Sequence, residues 1–176
     1  SYSSLGGYDI ATVKYSPGGL QLWSARYNGT GSDDDAPAGL GVDSLGNVYV
    51  TGYATNADFT HDYVTLKYNA AGLQQWVALY DGPGHDEDQA AGLTVDRAGN
   101  VTVTGFSMNE NFNRDCATIR YASSGLRKWV ARYNGIAELD DQGTGVVTDE
   151  AGGAIVTASS IDPFNAQTIV TLRYSS

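Results

Sequence analysis

The residues in this chain best suited to chemistry are carboxylates, and they come in register. Asp35, Asp88 and Asp141 stand 53 residues apart. Each follows another acid, Asp34, Glu87 and Asp140, and two copies add a third, Asp33 and Asp86. Crowded carboxylates repel, so such a set needs a cation, protonation, or hydrogen bonds from backbone amides. Calcium takes about six to eight oxygen ligands, and acidic loops can supply them. Asp33, Asp34, Asp35, Asp86, Glu87, Asp88, Asp140 and Asp141 are therefore the candidate metal ligands, with calcium as the candidate cofactor. Neither the EF-hand spacing nor the nonapeptide calcium repeat is present. The competing reading is structural: an in-phase Asp accepts backbone N–H bonds where the chain turns into its next unit.

Other constellations fail. The two histidines, His61 and His85, lie in different loop types. There is no Gly-x-Ser-x-Gly elbow, no Ser-His-Asp order and no zinc spacing. His85 stands beside Asp86, but in one copy only. The single cysteine, Cys116, has Ile10, Tyr63 and Ile169 as counterparts, which marks it as a strand residue rather than a thiol nucleophile. Paired carboxylates serve glycosidases, yet charges repeated in every unit look architectural. The sequence points to no catalytic residues and no enzyme.

The elements that must position these acids repeat. AGLGVDSLGNVYVTGY (38–53) returns as AGLTVDRAGNVTVTGF (91–106) and as TGVVTDEAGGAIVTAS (144–159). Each copy reads as two short strands around a tight turn. Asp43, Asp96 and Asp149 are placed to accept N–H bonds across that turn, and Gly46 to take its left-handed position. A third strand follows by its alternation: YDIATVKY (8–15), HDYVTLKY (61–68), RDCATIRY (114–121) and AQTIVTLRY (166–174). After a turn ending in Gly19, Gly72 or Gly125 comes a fourth: LQLWSARY (20–27), LQQWVALY (73–80) and LRKWVARY (126–133). Trp23, Trp76 and Trp129 are in phase and are expected as buried filler between packed layers.

A four-stranded meander cannot bury both faces alone, and radial stacking gives each one a neighbour on both sides. The expected fold is all-β: a β-propeller of 53-residue four-stranded antiparallel blades, incomplete in one chain. The chain divides into a part-blade (1–35), two blades (36–88 and 89–141) and an incomplete blade (142–176). First strands are expected at 38–43 and second strands at 47–53, the first lining the axis. Gly39, Gly92 and Gly145 are then close-approach positions.

The pattern D-x-x-G-N-x-x-V-T-G, a third strand, G-L-x-x-W-x-x-x-Y-x-G, then D-D-x-A-x-G resembles the bacterial SBBP repeat. It is matched at Asp43 to Asn47, at Gly72-Leu73 with Trp76, and at Asp86 to Gly92. The last copy departs from it, with Gly153 in place of Asn and Ala158 in place of Gly. The resemblance implies propeller-like blades in bacterial exported or cell-surface proteins. It implies no reaction and no defined ligand.

Composition agrees. The chain of 176 residues holds 22 glycines and 12 tyrosines, with a net charge of -10. That charge disfavours nucleic acid and anionic membrane surfaces, and no apolar run is long enough to insert in a membrane. An export signal, if there is one, lies outside these residues. Three blades and a strand do not close a ring, and open blades leave unpaired edges that recruit other chains. The expectation is a homo-oligomer or a piece of a longer propeller. Its role is either that of an extracellular structural and interaction scaffold, or that of a lectin-like or calcium-dependent binder of a glycan or protein ligand.

Overall fold

The computed structural model describes residues 7–31 and 33–175. They form thirteen strands in four antiparallel sheets and no helix. The opening sheet pairs β1 (Ile10–Tyr15) with β2 (Gln21–Tyr27). The first complete blade runs β3 (Ala36–Val42), β4 (Val48–Thr55), β5 (His61–Tyr68) and β6 (Gln74–Tyr80). The second runs β7 (Asp88–Val95), β8 (Val101–Met108), β9 (Arg114–Tyr121) and β10 (Arg127–Tyr133). A three-stranded sheet closes the chain with β11 (Asp141–Thr148), β12 (Ala154–Ile161) and β13 (Gln167–Tyr174). Each blade is a plain meander in sequence order.

The turns form as the residues require. Asp43 Oδ1 accepts the amides of Leu45 and Asn47, both at 2.9 Å, and Asp96 repeats this at Ala98 and Asn100. Gly46 then takes φ +79°, which costs glycine nothing. First strands begin two or three residues earlier than expected, and each carries a bulge that the alternation does not reveal. The register slips between Pro37 and Gly39, between Ala90 and Gly92, and between Gly143 and Gly145.

The main core lies where the two complete blades meet. Tyr49 and Tyr63 of one blade are buried with Val101, Val103, Ile119 and Tyr121 of the other. Each such side chain contributes about 1.5–3 kcal/mol by leaving water. Strand β7 packs across β3, β4 and β5, and β11 across β7, β8 and β9, so each first strand lies on the face of the preceding blade. The expected close approach holds at Gly39, where an added Cβ would lie 3.2 Å from the Cα of Gly92. It does not hold at Gly92, where such an atom would meet nothing.

The tryptophans occupy equivalent places, but they are half-buried rather than buried. Each indole caps the interface from its edge instead of filling its middle.

Candidate functional site

Antiparallel order places two loop types at one end of the blades: those joining second to third strands, and those joining a fourth strand to the next first strand. Hydrogen bonds tie them together. Gly31 N donates to Thr55 O at 2.9 Å, and Asn113 Nδ2 donates to Glu138 O at 2.9 Å.

The eight candidate acids are all in this end, each in a defined role. Asp35 is buried and accepts from Gly29 N at 2.7 Å and Thr55 N at 2.9 Å. Asp88 is likewise buried and accepts from Gly82 N and, at 3.1 Å, from Met108 N. Asp141 accepts from Gly135 N at 2.6 Å, while its Oδ1 has no partner. Each in-phase Asp thus ties the loop behind it, and the first two also tie the end of a second strand. The acid before it reaches the third strand: Asp34 Oδ1 accepts from Tyr8 N at 2.7 Å, Asp140 Oδ1 from Arg114 N at 3.0 Å. Glu87 pairs with His61 Nδ1 at 2.6 Å. Asp33 and Asp86 accept the amides of Asp34 and Glu87, both at 2.9 Å.

Burial raises the carboxyl of Asp88 to about 6, against the lowering effect of its donors Ser107, Gly82 and Met108. Asp35 is raised for the same first reason, opposed by Gly29 and Thr55. Capping carboxylates held out of water are costly to ionise, and the amides offset part of that cost.

The structure also gathers acids that the repeat register does not put together. Asp62, Asp81 and Asp88 bring carboxylate oxygens within 4.8 Å of one another. Two substitutions inside the repeat set this place apart: Asp81 stands where the other copies carry Asn28 and Asn134, and an arginine is replaced. Arg132 pairs with Asp115 at 3.0 Å and donates to Ser107 Oγ at 2.6 Å, and Arg26 pairs with Asp9 in the opening sheet. Leu79 holds that position in the first complete blade, so Asp62 has no arginine of this kind. Its partner is Asn56 Nδ2 at 3.3 Å, and burial raises its carboxyl. Three carboxylates alone do not make a metal site, and exposed acids commonly group this way.

Beside the acids lie side chains that the variable loops hid. The ring of His61 stacks on Tyr53 at 4.2 Å, and Arg114 lies over the ring of Phe106 at 4.2 Å. Phe59 and Phe112 sit at the loop tips, exposed, with φ of 65° and 61°. In the third copy Asn165 takes the left-handed place and the exposed ring is Phe164. Repeat alignment holds the one signal for these rings: a Phe recurs at or next to a fixed distance from the turn.

Residues 22–60 match the SBBP family of beta-propeller repeats. This chain carries an SBBP repeat. The matched stretch begins in β2 and ends in the loop before β5, so it straddles two sheets rather than coinciding with a blade. Residues in phase with it recur through both later copies, and together they make the chain a propeller-type module. Curated proteins offer no match to the chain.

Proposed function

We propose that this chain is a non-catalytic β-propeller module that serves as an interaction scaffold, displayed outside a bacterial cell. The observation that carries this reading is the exposed phenylalanine in three successive second-to-third-strand loops, Phe59, Phe112 and Phe164. Phe59 and Phe112 hold positive φ, which carries a conformational cost for a bulky side chain, and such cost is kept where the side chain is used. Three apolar tips at one end of the blades, beside repeated acids already bonded to backbone, form a repeated contact surface rather than a reaction centre. A lectin-like, calcium-dependent form of the reading draws on the grouping of Asp62, Asp81 and Asp88.

The test is a glycan array probed with labelled protein, with and without calcium, beside the triple variant Phe59→Ser/Phe112→Ser/Phe164→Ser. Retention that the variant loses supports the scaffold reading, and retention that also requires calcium selects its lectin-like form. Retention untouched by the variant, or cleavage of the arrayed glycans, overturns it.

A further inference from the structure

Leu40 and Val42 of β3 are 66% and 59% exposed. One repeat later, Leu93 and Val95 are half-buried and pack on the main core. What covers them is β3 itself: an atom added at Gly41 would lie 2.7 Å from Leu93 and 2.9 Å from Val95. Among the described residues no first strand lies over Leu40 and Val42. In its place is a cleft of about 600 Å³ walled by β1, Trp23, Leu40, Val42 and Val48. Among the described residues strand β1 also pairs with β2 alone, whereas its counterparts β5 and β9 are paired on both edges. Cleft and open edge together have the form of an absent first-and-second-strand hairpin.

We propose that the hairpin β11–β12 of a second copy fills this cleft and pairs with β1, making a composite blade of β11 and β12 from one copy with β1 and β2 from the other. The fit is readable in the repeat. Val147 holds the position of Gly41 and Thr94, the positions that face the next blade: Gly41 faces Val95, and Thr94 meets Thr148 at 3.4 Å. It is 59% exposed, as is Val42, the residue it then covers. Gly145 takes the place of Gly39, whose missing side chain lets first strands approach. Strand β12 carries no charged residue, so it brings no ion of its own to be desolvated against β1.

Strands β1 and β13 hold the same repeat position and compete for the same edge. Ile10 is fully buried by the blade that follows it, while its counterpart Ile169 is 87% exposed. The better-covered strand keeps the place, and β13 is released. Two copies then supply two complete blades each and share two composite ones. That makes a ring of six, within the roughly four to eight blades at which propellers close. The open edge of β1 and the open face of β3 are both covered.

The double variant Val42→Cys/Val147→Cys tests the contact in the full chain, since both valines are exposed and Cys116 is buried. Under mild oxidation a covalent dimer is expected from the double variant and from neither single one. Light scattering is expected to give twice the 18.6 kDa of one chain. Leu40→Glu, and independently Val147→Glu, should each raise the dimer dissociation constant at least about tenfold, because each buries a charge in the contact. A wild-type monomer at micromolar concentration overturns the proposal. So does a dimer that fails to cross-link at this pair, or that both glutamate variants leave intact.

Discussion

The indole of Trp76 in one blade lies over Gly125 of the next. An atom added at Gly125 would sit 2.8 Å from Trp76 Cγ. The indole N–H donates to Ser123 O at 3.1 Å. Trp23 repeats the relationship with Gly72 and Ala70 O, also at 3.1 Å. Each ring further packs on a tyrosine of that next blade, Trp23 on Tyr68 and Trp76 on Tyr121, both at 6.2 Å.

Gly125→Ala should therefore destabilise twice over. It forces a Cβ into the left-handed region, where φ is +89°, and it displaces the indole. The combined cost is about 2–5 kcal/mol. Trp76→Ala should cost about 3 kcal/mol, the low end for aromatic truncation, because the ring is half-exposed. Urea unfolding measures both, and a Gly125→Ala protein as stable as the parent would refute the clamp.

Asp96 should be the most costly of the three turn aspartates to lose. Arg120 bonds its Oδ2 at 2.6 Å, and both side chains are largely buried. Burial would push the Asp96 carboxyl up, but bonds from Asn100 and Ala98, together with the Arg120 charge, hold it below the usual range. Asp96→Ala strands a buried guanidinium and should cost about 3–5 kcal/mol. Asp43→Ala removes hydrogen bonds only and should cost about 1–3 kcal/mol. Equal losses in the two variants would show that the ion pair adds nothing.

Asp88 and Asp96 should give opposite pH dependences. The folded value of Asp88 lies above the ordinary carboxylate range, at about 6. The native state then binds the extra proton, so this group's contribution is fully present below the unfolded value and is lost as pH rises toward 6. Asp96, held low, contributes above the unfolded value and loses that contribution as pH falls. Carbon-detected NMR titration of the carboxyls reads each midpoint. An Asp88 midpoint at the ordinary aspartate value would contradict its burial.

Cys116 should resist thiol reagents until the protein unfolds. It is fully buried between blades, and burial raises its thiol, which disfavours the reactive thiolate. Labelling should follow global unfolding in denaturant. Stoichiometric labelling of the native protein within minutes would place that strand at the surface.

The sequence by itself determined the blade. A 53-residue period, alternation in each strand, and Gly at turn positions specify a four-stranded meander, because those signals are local and period-two. They locate β5 at 61–68 to the residue. What they could not locate were the bulges at Ala38, Ala91 and Thr144, since a bulge leaves no mark in an alternating pattern of small residues. The acids were legible as a set, but their division of labour was not. Whether Asp35 meets a cation or the amides of Gly29 and Thr55 depends on two segments brought together across 20 residues. Tertiary structure also brought Asp62 and Asp81 beside Asp88, where neighbouring units carry an asparagine in place of Asp81 and an arginine in place of Leu79. It moved the tryptophans from the middle of the interface to its edge, because the space each indole fills belongs to a turn in the next blade.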